Sequence, residues 1–113
     1  MIKIVVTTDE EVIEKITKVI RKIPITSGSI TLIGGVGSVC ISNMDKHAAT
    51  KDILMQFHEP LEISGTGEIE NGKVHIHATL GQQNNTALFG HLHWAKVKTW
   101  FVHAYITPLE HIT

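Results

Sequence analysis

Eight of the 113 residues are histidine, and four of them form two His-x-His pairs, His75 with His77 and His91 with His93. Alternate side chains of an extended strand leave the same face, so each pair projects two imidazoles to one side. Only the polar run Gly81-Gln82-Gln83-Asn84-Asn85 and Thr86 separate the two segments. The strands can therefore lie side by side and bring three imidazoles to one point. Three neutral imidazole nitrogens and a water form the ligand set of zinc sites that keep an open position. The same donors suit iron, nickel and copper, so the pattern leaves the ion's identity open. The competing reading is a polar strand face that titrates near pH 6.5. Geometry sets one demand on the metal reading. Residues i and i+2 of a strand lie about 7 Å apart at Cα, so both rings must lean inward, held by packing or supporting hydrogen bonds. Thr79 or a backbone carbonyl is in range to supply one. His47, His58, His103 and His111 are scattered and read as solvated or locally bonded side chains.

The elements that position these residues are legible from periodicity. Ile2 to Thr7 is β-rich. A helix follows: Thr8 stands as its cap with Glu11 three residues later, in capping-box spacing. Val12, Ile13, Ile16, Val19, Ile20 and Ile23 make one apolar stripe, and Pro24 ends it. Ser29 to Ile33 and Val36 to Ser42 read as strand segments on either side of Gly34-Gly35. The polar stretch from Asn43 to Thr50 reads as a connection with room for one helical turn, and Asp52 to Phe57 as a further strand. Leu61 to Glu70, Asn71-Gly72 and Lys73 to Leu80 form a hairpin with the turn dipeptide that two-residue loops prefer. On its return strand Val74, Ile76, Ala78 and Leu80 face one way, and Lys73, His75, His77 and Thr79 the other. Ala87 to Trp94 and Lys96 to Thr107 supply the last strands, with Gly90 making room at a crowded point and Pro108 as the stop.

Composition narrows the function classes. A chain of this length builds one domain, residues 1–113. It is 42% hydrophobic and 19% charged. Charge this scarce on a small domain implies that part of its surface is hidden in an oligomer. The formal net charge is −1 and the longest basic run is Arg21-Lys22, which gives nucleic acid no positive footprint. No apolar stretch reaches the length of a membrane span, and the N-terminus lacks a signal-peptide layout, so the cytoplasm is the expected location. The single cysteine, Cys40, lies in the apolar run Val39-Cys40-Ile41 and reads as a buried small hydrophobe. Gly34, Gly35 and Gly37 are not followed by the Lys-Ser/Thr of a phosphate loop, and Gly-x-Gly-x-x-Gly does not occur. These glycines mark a bulge or a close backbone crossing.

Four segments, taken in order, carry a family resemblance: Gly34-Gly35-Val36-Gly37-Ser38-Val39, Pro60-Leu61-Glu62-Ile63-Ser64-Gly65-Thr66-Gly67, Gly72 through His75-Ile76-His77 to Gly81, and Gly90-His91-Leu92. Together they resemble the PPC domain, also called PD1-like, of the stand-alone prokaryotic type. The resemblance implies an α+β fold, a largely antiparallel sheet with the N-terminal helix packed on it, assembled as a homotrimer. It also implies that His75, His77 and His91 occupy positions that hold a divalent metal ion, zinc first, in some stand-alone members. Phe89 replaces a glycine usual before the Gly-His-Leu motif and would narrow or cover the site. His93 lies outside the shared pattern. Members are often labelled DNA-binding, but in the plant proteins the AT-hook makes that contact, and this chain has no Arg-Gly-Arg-Pro core. Direct nucleic-acid binding is therefore not expected. Three readings follow: a metal-binding trimer with no assigned activity, a non-catalytic assembly or regulatory module of DNA-associated type, and a metal-dependent hydrolase or lyase on a small molecule. Catalysis would need a general acid or base in reach. The nearest acidic residues in sequence are Glu62, Glu68 and Glu70, and spacing alone sets none of them against the histidines.

Overall fold

The computed structural model describes residues 1–110 and residue 112. Among these, one helix and eight strands follow in the order β1 (Ile2–Val6), α1 (Val12–Lys22), β2 (Ser27–Val36), β3 (Ser38–Asp45), β4 (Ala48–Phe57), β5 (Leu61–Glu70), β6 (Lys73–Gly81), β7 (Ala87–Lys96) and β8 (Val102–Pro108). They form one sheet ordered β1-β8-β2-β5-β6-β7-β3-β4, with every neighbouring pair antiparallel. In that order β2 and β3 are separated by three strands, yet only Gly37 joins them in sequence. The sheet must therefore coil until the end of β2 meets the start of β3. The Gly37 N–H closes this corner on the Lys96 carbonyl at 2.9 Å.

One face of the coiled sheet is the core. Val12, Ile16 and Ile20 of α1 are fully buried against it, and α1 packs chiefly on β7, β1 and β6. The alternation read from the sequence of β6 is realised: Ile76, Ala78 and Leu80 are buried, while Lys73, His75, His77 and Thr79 are exposed on the other face. The Asn71-Gly72 turn has positive φ at both residues, 51° and 74°, as a type I′ hairpin turn requires.

The helix cap differs from expectation. Glu11, not Thr8, is the N-cap: its carboxylate accepts hydrogen bonds from the N–H groups of Ile13 at 3.0 Å and Glu14 at 2.8 Å. Glu11 is extended (φ −100°, ψ 134°) because it bridges to Lys96 of β7. Its carboxylate also accepts the Ala95 N–H at 2.9 Å. Attachment to the sheet, which local spacing does not record, delays the helix by three residues.

The stretch from Asn43 to Thr50 is not a loose connection. β3 runs to Asp45, whose Oδ1 accepts from the N–H groups of His47 and Ala48 at 2.8 and 3.2 Å. Such a side-chain-closed turn returns the chain directly into β4. The segment is polar because the hairpin projects beyond the packed face, so burial does not impose a period of two. The glycine expectation holds: β2 runs through Gly34, where a Cβ would overlap the Phe101 carbonyl. The last strand splits, with β7 ending at Lys96 and β8 starting at Val102.

Candidate metal centre

β6 and β7 pair antiparallel, and His77 lies directly opposite His91. Beyond that pair the β6–β7 ladder stops, while β7 continues along β3 on its other edge. His75 is thus left without a β7 partner, and its ring has room to lean toward the other two. It does so. Its centroid is 5.0 Å from that of His77 and 4.9 Å from that of His91, and the His77–His91 separation is 5.9 Å. One ring nitrogen from each residue can be chosen so that all three lie within 4.8 Å of one another. Nitrogens around a tetrahedral zinc stand about 3.3 Å apart, given Zn–N bonds of about 2.0–2.1 Å. The three nitrogens lie close enough together for the donor set to hold a metal ion.

The supporting structure holds the triad from below. Gly90 precedes His91 where β7 crosses β3, and a Cβ there would lie 2.7 Å from the Ser42 carbonyl oxygen. Asn43 Nδ2 donates to the Phe89 carbonyl at 2.8 Å, tying the same segment across strands. His93 stands 4.8 Å, centroid to centroid, from His91. Its Nε2 is instead hydrogen-bonded at 2.7 Å to the hydroxyl of Ser42, the one buried polar side chain among the described residues. A bulge at Cys40/Ile41 leaves His93 without a partner in the β3–β7 register, and although its ring is as near to His91 as the others it is engaged by Ser42 and is not among the three whose nitrogens converge.

Burial and crowding together set the electrostatics. His75 and His77 are exposed and His91 is half-buried. Burial lowers the His91 pKa below the usual imidazole value. Repulsion from His75, His93 and His77 lowers it further, and the Asp52 carboxylate acts in the opposite direction. Both effects favour the neutral imidazole of His91, the form that ligates metal.

Phe89 stands where the sequence places it, edge-on to His77 at 5.8 Å between centroids, and flanks the site rather than sealing it. Of the three acidic residues considered, Glu68 lies opposite His75 in the β5–β6 register. It shares a hollow of about 240 Å³ with Thr66, Gly67, His75 and His77. Glu62 and Glu70 lie at the two ends of β5, away from the triad. Asp52, on β4, was not legible as a neighbour, because its approach depends on a β3–β4 hairpin that sequence spacing does not reveal. His47 sits in the β3–β4 turn, His58 stands 6.3 Å from Trp94, and His103 stacks on Phe101. His111 lies outside the described residues.

A coiled antiparallel sheet with one helix in its core face and a histidine triad on the other defines a small α+β protein with a candidate metal centre. The chain belongs to the family of the Plants and Prokaryotes Conserved (PCC) domain, whose profile matches residues 1–110. It is similar to the structure of a metal-containing protein of Archaeoglobus fulgidus, with 26% identity and a TM-score of 0.81 over 96% of this chain and 78% of that one. A plant- and prokaryote-conserved protein of Pyrococcus horikoshii superposes with a TM-score of 0.83 at 20% identity, covering 97% and 79%. A protein of Bacteroides thetaiotaomicron whose proposed role is DNA binding gives 0.83 at 24% identity, covering 96% and 78%. No curated protein sequence matches the chain. No helix among the described residues is long and apolar enough to cross a membrane.

Proposed function

We propose that this chain is a homotrimeric metal-binding protein of the cytoplasm in which His75, His77 and His91 hold one divalent ion per protomer. Zinc is the first choice, with solvent in the remaining position. The observation that carries the reading is the convergence of three imidazole nitrogens within 4.8 Å on a braced strand pair. The metal-containing relative supports it. The buried, unpaired Cys40 suits a reducing compartment. The test is elemental analysis of untagged protein, repeated for His75→Ala, His77→Ala and His91→Ala. About one equivalent of metal in the wild type and a loss in each variant is the expected result. Wild-type protein that stays empty after incubation with zinc, cobalt, nickel and manganese at neutral pH would overturn it.

The position of Glu68 favours a second reading, metal-dependent hydrolysis of a small molecule. A bound zinc lowers the pKa of its water toward 7. Glu68, across from His75 in the same hollow, would serve as the general base for such a water. Metal-loaded protein should then turn over one member of an ester, phosphoester and amide panel, and Glu68→Gln should lose that turnover while keeping its metal. Inactivity across the panel at full occupancy leaves a binding protein. Direct DNA binding is not proposed for a chain of net charge −1. A titration against duplex at low salt, where non-specific attraction is greatest, checks this.

A further inference from the structure

A cleft of about 920 Å³ opens at one end of the sheet, where β2, β5 and β8 meet the loop between β6 and β7. Its walls are apolar and aromatic: Ile33, Trp100 and Phe101 stand 59%, 69% and 40% exposed around it. Large apolar side chains left this wet in one concavity mark a binding surface. The walls are built rather than incidental. The Gly35 N–H donates to the Phe101 carbonyl at 2.8 Å. The Trp100 side chain lies over Gly35, where a Cβ would sit 3.3 Å from it. The Phe101 ring stacks on His103, with 4.1 Å between centroids and 21° between planes. Backbone contacts on one side and a stacked imidazole on the other thus hold the two rings.

The charge of the cleft centres on Glu62. In the sheet register it lies between Gly35 of β2 and Gly81 of β6. Neither neighbour has a side chain, so nothing beside Glu62 covers its carboxylate. A Cβ at Gly81 would meet nothing closer than Glu62 Cβ at 3.8 Å, so packing does not demand a glycine there, and its effect is to leave the carboxylate clear. Glu59 adds a second carboxylate at the rim, which accepts from Gln82 Nε2 at 3.4 Å. The remaining titratable group of the walls is His103, engaged with Phe101, and no lysine or arginine lines the cleft. His58 and Lys98 belong to a smaller adjoining hollow that shares Glu59 and Trp100. Lys98 is therefore placed to offset Glu59, which leaves Glu62 as the anionic centre. Neither ion pair among the described residues involves Glu59 or Glu62.

We propose that this cleft binds an organic cation, a flat ring system carried on Trp100 and Phe101 with an ammonium group directed at Glu62. Aromatic walls favour a flat body, and their faces attract a cation. A carboxylate without a partner supplies a charge-assisted hydrogen bond to an ammonium group. Apolar walls with a few polar groups that fix orientation are the usual make-up of a small-molecule site. An anion of the same shape would meet two carboxylates and no cation from the walls. Gly81 and His77 stand four residues apart on β6, about 13 Å along the strand. The site is thus distinct from the histidine triad and does not rest on the metal reading.

The test is calorimetric titration of the whole chain at pH 7.5, in the assembly it forms in solution and freed of metal by a chelator. The probe is tryptamine, a two-ring cation, with 3-ethylindole as its uncharged and indole-3-propionate as its anionic counterpart. Tryptamine should bind with a dissociation constant of about 1 mM or below, 3-ethylindole about tenfold more weakly, and indole-3-propionate not measurably. The indole N–H resonance of Trp100 should shift on binding, and that of Trp94 should not. Glu62→Gln should weaken tryptamine by about tenfold or more and leave 3-ethylindole unchanged, a difference that a merely structural effect would not produce. Trp100→Ala should abolish binding of both. Glu62 and Trp100 are exposed, so both variants should melt close to wild type, and if Trp100→Ala fails to fold, Glu62→Gln decides. A wild type that takes up no tryptamine overturns the site, and a cleft covered by a neighbouring copy would give that result. Equal binding of the anion, or a Glu62→Gln variant within about threefold of wild type, overturns it as well. Each of these leaves the metal reading standing, because zinc affinity is measured separately.

Discussion

Replacing His91 by alanine should shift stability in opposite directions with and without metal. His91 is the half-buried member of the triad, and burial with repulsion from His75, His93 and His77 lowers its pKa. A histidine whose folded pKa is depressed contributes stability that is present above about pH 6.5 and is lost as pH falls through the folded value. Without metal, the wild type should therefore weaken on acidification from pH 7.5 to 5.5, and His91→Ala should weaken less over the same interval. With metal the sign reverses. Four-ligand zinc sites bind with about 10–16 kcal/mol, so one ligand carries roughly 3 kcal/mol, or about a 100-fold change in affinity. Zinc competition against a chromophoric chelator at pH 7.5 reads the affinity, and thermal melts of chelator-treated protein read the stability. A variant that binds zinc within threefold of wild type would show that His91 is not a ligand. Equal acid sensitivity of the two metal-free proteins would show that crowding at His91 does not govern the pH response.

Other consequences are local. Gly90→Ala places a Cβ 2.7 Å from the Ser42 carbonyl oxygen and 3.2 Å from Ile41 Cβ. It should cost about 1–3 kcal/mol by overpacking, visible as a lower melting temperature, and should weaken metal binding by displacing His91. Glu11→Ala removes the acceptor for three backbone N–H groups, those of Ile13, Glu14 and Ala95. A loss of about 2 kcal/mol in urea unfolding is expected, whereas Thr8→Ala should be nearly silent. Glu10 is held down to a pKa of about 2 by its hydrogen bond to the Lys15 ammonium and by the N–H and hydroxyl of Thr7. Its carboxyl shift should stay flat in an NMR titration down to about pH 3, and Lys15→Met should raise the midpoint. The stability it contributes is present above the ordinary carboxylate pKa and fades as pH falls toward 2, with a small amplitude because the pair is solvent-exposed.

The sequence by itself determined several features that depend on near neighbours. Strict alternation in Lys73–Leu80 divided that strand into a core face and a histidine face, because a pleated strand turns each side chain by half a revolution. Asn71-Gly72 located its hairpin, since few dipeptides tolerate two positive φ values. That three imidazoles can converge was legible for the same reason, from two His-x-His pairs joined by a short loop, while the family resemblance singled out His75, His77 and His91 and the structure set His77 opposite His91. Tertiary structure decided the rest. The helix begins at Glu11 because that carboxylate also serves Ala95, 84 residues away. His93 is left unpaired in the β3–β7 register by a bulge and taken up by Ser42, 51 residues away. Asp52 acts on His91, and Glu68 shares a hollow with His75 and His77, only because the strand order brings β4 and β5 to their places. The turn end of the β3–β4 hairpin, Asn43 to Thr50, read as a connection because nothing within the protomer buries it, and a period of two is imposed by burial alone.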